Sequence, residues 1–188
     1  AAGHPEPFAV CFDLLTAEEK EFDNLAMTVA QATGRRLDGI VHCASYFYAL
    51  SPLDFQTVAE WVNQYRINTV APMALTRAFL PLLKESADAS VIFVGESHGE
   101  TPKAYWGGFG ASKAAVNYLC KVAADEWERF EHLRANVLVP GPINSPQRVK
   151  THPGESEEER KNIGEVMPQF VYWMSKESRG RSGEIVYL

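Results

Sequence analysis

The chain has 188 residues, enough for one domain with a proper core. At 46% hydrophobic and 22% charged it is globular rather than disordered. A net charge of −6 with no basic run makes it a poor nucleic-acid binder.

No apolar run approaches the roughly 18 residues a membrane span needs, and the residues from Ala1 show no signal-peptide pattern. Cys11, Cys43 and Cys120 all lie within apolar stretches. An odd set in such settings implies reduced, buried thiols and a cytoplasmic home. The longest charge cluster, Glu155 to Lys161, is mixed in sign and reads as a solvated turn or short helix.

In chain order, Phe8 to Phe12 is a short apolar run closed by Asp13 and reads as a buried strand. Thr16-Ala-Glu-Glu19 has the pattern of a capping box, and the helix it opens should end at Thr33 with Gly34 as the stop. Leu37 to Ala44 is apolar on both faces, as in a covered parallel strand. Ser51 to Gln56 is a loop. Thr57 to about Glu85 is helical, with Leu75, Phe79 and Leu83 on one face and a bend or break expected at Pro72. Ser90 to Val94 is the next strand. The helix from about Gly107 to Phe130 is expected to bury Ala111, Ala115, Tyr118, Leu119 and Val122. Ala135 to Val139 is a strand ended by Pro140-Gly-Pro142. Ser145 to Gly164 is polar and irregular, Val166 to Ser175 helical, and Glu184 to Leu188 a last strand. Strands alternating with helices predict a single α/β domain over 1–188, built on a parallel sheet.

Around Lys113 the sequence reads Phe93-Val-Gly-Glu-Ser-His98, a glycine-bearing loop, then Phe109-Gly-Ala-Ser-Lys113. This layout resembles the active-site segment of the short-chain dehydrogenase/reductase family. That resemblance covers about Phe8 to Leu188. It implies a Rossmann-like, doubly wound parallel sheet with helices on both faces, and hydride transfer between NAD or NADP and a carbonyl or alcohol substrate. Lys113 resembles the family lysine that binds the nicotinamide ribose and lowers the pKa of the catalytic tyrosine. Asn68, in Arg-Ile-Asn-Thr, resembles the helix asparagine that holds a water in the proton relay. Asp13 takes the place of an aspartate that accepts from the adenine amino group, although a strand-end aspartate also caps turns. In His42-Cys-Ala-Ser45 only Ala44 is kept from the ribose-lining Asn-Ala-Gly. Pro140, Gly141 and Ile143 resemble the loop along the nicotinamide, where Ile143 would meet the carboxamide through its backbone. Ser145 stands where threonine is usual near the pyrophosphate.

Two reactive positions depart from the family. The tyrosine four residues before the lysine is Phe109, and the serine thirteen before that is Glu96. Phenylalanine has no ionisable proton. An ionised Glu96 would oppose the alkoxide that the serine stabilises. Ser97 and Tyr105 are the nearby hydroxyls that could substitute. Glu96 and His98 are too few to hold a metal, so no metal site is expected.

The family's glycine-rich pyrophosphate turn, Thr-Gly-x-x-x-Gly-x-Gly, does not occur in these residues. The resemblance begins at the family's third strand. A strand at Phe8 would then lie about 14 Å from its nearest neighbour, at roughly 4.8 Å per strand step. The expectation is therefore either a longer polypeptide, with the fold incomplete at its N-terminal side, or a rearranged sheet. These residues alone should bind NAD(P) weakly or not at all. The leading function is an oxidoreductase of this family, weakened by Phe109 and Glu96; the alternative is a non-catalytic protein that keeps the fold for binding or scaffolding. Beyond a small-molecule substrate, the resemblance implies a homodimer or homotetramer joined through the two long helices, where Val70, Met73, Ala74 and Trp127 offer apolar surface.

Overall fold

The computed structural model describes residues 7–152 and 154–188, without the side chains of Gln147 and Lys150; the reading at Ala1 lies outside them. Four parallel strands form the described sheet: β1 (Gly39–His42), β2 (Ala89–Val94), β3 (Leu133–Val139) and β4 (Ile185–Tyr187), side by side in that order. β1 begins its pairing with β2 at Gly39 opposite Ser90, and β2 meets β3 with Ala89 opposite Leu133.

The helices α1 (Glu19–Thr33), α2 (Val58–Tyr65), α3 (Ala71–Lys84), α4 (Gly107–Glu126), α5 (Pro146–Thr151) and α6 (Ile163–Met174) connect or flank the strands. Alternate side chains of one strand face opposite ways, and the core divides accordingly. Val91, Phe93, Ala135 and Val137 pack under Leu83 of α3 and Val116, Cys120 and Ala123 of α4. Ile92 and Leu138, on the other face, meet Trp173 of α6. Helices therefore cover both faces of a parallel sheet, an α/β doubly wound arrangement. α1 lies outside this layer, packing Ala26 and Ala30 on Phe79 and Leu82 of α3.

Gly34 ends α1 in the left-handed region, φ 64°, as expected of a helix stop. The capping box, however, belongs to Glu18 and Glu21. Thr16 instead donates its hydroxyl to Asp13, 2.9 Å. Phe8 to Phe12 is not a strand, and Phe8 is 66% exposed. An extended run becomes a strand only where a neighbour satisfies its N–H and C=O groups, and none of the described strands pairs with it. β1 is shorter than Leu37 to Ala44, and at the edge of the described sheet its Val41 is exposed rather than covered.

The long helical region divides where Pro72 demands it. α2 ends at Tyr65, a π turn runs Arg66–Val70, and α3 follows with proline in its first turn. Proline lacks an N–H and clashes with the carbonyl four residues back. The wider turn relieves that clash, closing with the Ala71 N–H on the Arg66 carbonyl.

The buried face of α4 is rotated by about one residue from the expected one. Ser112, Lys113, Val116, Asn117, Cys120 and Ala123 are buried, while Tyr118 is 73% exposed. Ala74 and Trp127 are buried inside the chain, so neither offers surface to a partner; Met73 does. Of the three cysteines only Cys120 is buried; Cys11 and Cys43 are exposed. Burial pushes the Cys120 thiol up to about 12. Residues 145–164, expected to be irregular, contain α5 and a short 3-10 turn at Glu157–Glu159. No helix among the described residues is long and apolar enough to cross a membrane.

Candidate active site

A cavity of about 210 Å³ opens beyond the C-terminal ends of β2 and β3, between the loops that leave them and the start of α4. In open parallel sheets ligands bind at this end. A larger hollow of about 650 Å³, around Trp127, Arg134 and Gly183, contains none of the candidate catalytic or cofactor-binding residues.

Lys113 reaches the cavity from the buried face of α4. It is 5% exposed. Its Nζ donates to the Val94 carbonyl at the end of β2, 2.9 Å. Removal from water disfavours the ammonium, and the amine is pushed down to about 8, with Glu96 and Cys43 opposing that shift. It is not a helix lysine in solvent.

The loop that carries Glu96 is held against α4 by a close backbone approach. A Cβ on Gly99 would stand 2.8 Å from the Lys113 carbonyl carbon and 2.9 Å from the Ala114 nitrogen. Any larger residue there would push the loop off the helix. Gly95 is similarly confined, since a Cβ would meet Val137 Cγ1 at 2.5 Å.

Asn68 sits in the π turn, 1% exposed. Its Oδ1 accepts from the Tyr46 N–H (2.6 Å) and the Ser45 hydroxyl (3.3 Å). Its Nδ2 donates to the Tyr46 carbonyl (2.9 Å) and to Ser112 Oγ (3.0 Å). Both amide hydrogens are thus committed within the protein. The side chain clamps the loop after β1 to α4, one residue from Lys113.

Phe109 is packed into a corner of rings. Its centroid lies 5.1 Å from Phe47, edge-on, and 5.9 Å from Trp106; Phe47 and Trp106 are 5.7 Å apart. Lys113 Nζ is 5.6 Å from the Phe109 centroid. Glu96 also lines the cavity, and its Oε1 accepts from the Ser97 hydroxyl (2.7 Å) and His98 Nδ1 (3.0 Å). The tautomer with hydrogen on Nδ1 follows from that carboxylate partner. His98 stacks on Trp106, centroids 3.9 Å apart.

Neither Ser97 nor Tyr105 lines the cavity. Ser97 Oγ is spent on Glu96, and Tyr105 is 56% exposed and does not line the cavity. Tyr105 has φ 77°, in the left-handed region, and its carbonyl accepts from the Ser51 N–H.

Of the remaining residues, Pro140, Gly141, Ile143 and Ser145 line the cavity. Ser145 caps α5, its Oγ accepting from the Arg148 N–H, 3.2 Å. Ala44 is exposed beside the lining residue Ser45. Asp13 lies outside the lining and caps a turn, accepting from the Leu15 N–H and the Thr16 hydroxyl, which holds its carboxyl below the usual range. His42 is buried, hydrogen-bonded to Thr76 Oγ1 (2.9 Å) and stacked on Phe93; burial pushes it down to about 4.

Sequence reading missed Phe47, Trp106 and Arg148 in the wall. Arg148 is fixed by Glu155, which accepts from its Nε (2.7 Å) and Nη2 (2.6 Å) and also pairs with Arg160. The available signal was the mixed charge cluster, which bonds across the 145–161 segment instead of facing solvent throughout.

The family model for short chain dehydrogenase matches residues 3–156. The chain belongs to the short-chain dehydrogenase family. An Escherichia coli K12 oxidoreductase, YciK, is 32% identical over 178 residues, which cover 95% of this chain and 69% of that protein. A short-chain dehydrogenase structure from Pseudomonas syringae superposes with a TM-score of 0.94 at 34% identity, covering 99% of this chain and 75% of that one. One from Escherichia coli CFT073, complexed with NADPH, gives 0.88 at 32% identity, covering 94% and 72%.

Proposed function

We propose that the protein is an NAD(P)-dependent oxidoreductase that moves a hydride between the nicotinamide and a small carbonyl or alcohol, at a rate limited by the loss of its proton donor. The observation that carries this reading is Lys113, buried and tethered to Val94 at the wall of a cavity beyond the strand ends. A surface lysine would not be buried in this way, since burying an ammonium is costly.

The residues present fit the nicotinamide-ribose end of the cofactor. Lys113 Nζ has one protein hydrogen-bond partner among the described residues, and Ile143 and Ser145 border the same cavity. The bound nicotinamide would supply or accept the hydride. Lys113 would hold the ribose, and Pro140 to Ser145 would confine the ring. The adenine end lacks its glycine-rich turn in these residues, and Asp13 would serve it only by giving up its turn. The NADPH bound to the related E. coli CFT073 protein favours NADP(H) over NAD(H).

Phe109 and Glu96 favour the second reading, a non-catalytic member that keeps the fold to bind a ligand or partner. For either reading we take residues 1–188 as one domain and infer a homodimer through the exposed apolar residues of α2, α3 and α4. Val58, Val62, Met73 and Tyr118 are exposed there. The test is oxidation of NADPH and NADH against aldehydes, ketones and quinones, alongside calorimetric titration of each nucleotide. Nucleotide binding with slow turnover supports the oxidoreductase. Micromolar binding without turnover for any carbonyl favours the binding protein.

A further inference from the structure

The replacement of the hydroxyl changes what Lys113 faces. Its amine is buried and held at 2.9 Å by one carbonyl oxygen, in a cavity lined by Phe47, Trp106 and Phe109 and also by Glu96 and Arg148. With a phenyl ring at its 5.6 Å neighbour, there is no hydroxyl at that position for the lysine to activate. Desolvation of an amine beside apolar rings is one way a lysine becomes a nucleophile toward carbonyl carbon.

We propose that Lys113 is itself a carbonyl-reactive amine, and that the cavity holds a flat aromatic aldehyde or ketone as a reversible imine on its Nζ. The proposal rests on the reading that this cavity receives carbonyl compounds. The hydrogen bond to Val94 uses an N–H and leaves the lone pair of the neutral amine free for attack. The three rings meet at 5.1 to 5.9 Å and at steep mutual angles, so they offer both faces and edges to an aromatic guest. Burial pushes the amine down to about 8, so at pH 7 it has roughly 300-fold more free base than an ordinary lysine.

The step balances without a cofactor. The nitrogen lone pair adds to the carbonyl carbon, the π pair moves to oxygen, and that oxygen takes the proton released from nitrogen. A second proton, from water, lets the oxygen leave as water, and the nitrogen lone pair forms the C=N bond of a protonated imine, whose N–H proton returns to the hydroxide when the neutral imine forms. Cyanoborohydride then delivers hydride to the imine carbon and is oxidised, leaving a stable secondary amine.

The experiment treats the protein at pH 7 with benzaldehyde and sodium cyanoborohydride, with no nicotinamide nucleotide, and maps the modified peptide by mass spectrometry. A benzyl group on Lys113 before the other lysines is expected, with butanal reacting there about tenfold more slowly. In urea the preference for Lys113 should vanish. Lys113→Arg, which keeps the charge, should abolish the fast phase. Modification spread over surface lysines with Lys113 untouched would overturn the proposal, as would an unchanged fast phase in Lys113→Arg. Equal rates for benzaldehyde and butanal would overturn the aromatic assignment. NADPH oxidation is measured separately: trapping without turnover sinks the reductase reading alone, and turnover without trapping sinks this one alone.

Discussion

Lys113 and Phe109 lie one turn apart on α4, and the lysine nitrogen rests 5.6 Å from the centre of the phenyl ring. The lysine keeps the burial and the backbone tether of a site residue. The phenylalanine has no hydroxyl to set beside that amine. Each consequence can be measured.

The buried amine should leave a signature in the pH dependence of stability. Its folded value is about 8 against a reference of 10.5, so between these the unfolded chain binds more protons. Stability from this group is therefore lowest below pH 8 and rises as pH climbs toward 10.5. The size is roughly 3 kcal/mol from the shift, taken as an upper figure. Urea unfolding of the protein and of Lys113→Met, compared across that window, should converge as pH rises. A difference that is flat with pH contradicts a buried amine.

His42 should act at the acid end. Burial sets it near 4 against 6.5 in the unfolded chain. Between these values the unfolded state again binds more protons, so stability falls as pH drops from 6.5 toward 4. His42→Gln should remove roughly 3 kcal/mol of that acid sensitivity, read from urea midpoints at pH 7 and pH 4.5. An unchanged acid slope would show that His42 is solvated.

Asn68→Ala should strip the Tyr46 backbone of both its side-chain partners. An unsatisfied buried group costs about 1–3 kcal/mol, so the variant should be destabilised by that order. Amide exchange at Tyr46 should rise with it. Wild-type protection at Tyr46 in the variant would mean that the clamp is not what orders this loop.

Part of this arrangement was legible in the sequence and part was not. Gly34, the strand at Ser90 to Val94 and Lys113 follow from local chemistry or from a motif with fixed spacing. Phe8 to Phe12 was misread because an apolar run reports hydrophobicity, whereas a strand also needs a partner. The face of α4 was misjudged because one residue of phase moves the stripe by about 100°, and the small residues between Gly110 and Ala115 blur its edge. The π turn at Asn68 depends on Pro72 and on contacts with Tyr46 and Ser112, which lie far apart in the chain. Phe47 and Trp106 carried no spacing signal; only the fold brings their rings to Phe109.

The exposed apolar residues of the helical face give an assembly test. Light scattering at micromolar concentration should report at least a dimer, and Val62→Asp with Tyr118→Asp should shift it to a monomer with the fold retained by circular dichroism. A monomeric mass for the unaltered protein rejects this surface as an interface.

The most direct measurement restores the missing groups. Phe109→Tyr with Glu96→Ser should place a hydroxyl beside Lys113 and remove the carboxylate from the cavity. Positioned acid–base groups contribute about 10²–10⁴-fold, so NADPH oxidation against an aldehyde, ketone and quinone panel should rise by that order over the unaltered protein. If the unaltered protein already turns over as fast as the restored variant, the account of a retained site with a lost proton donor is contradicted.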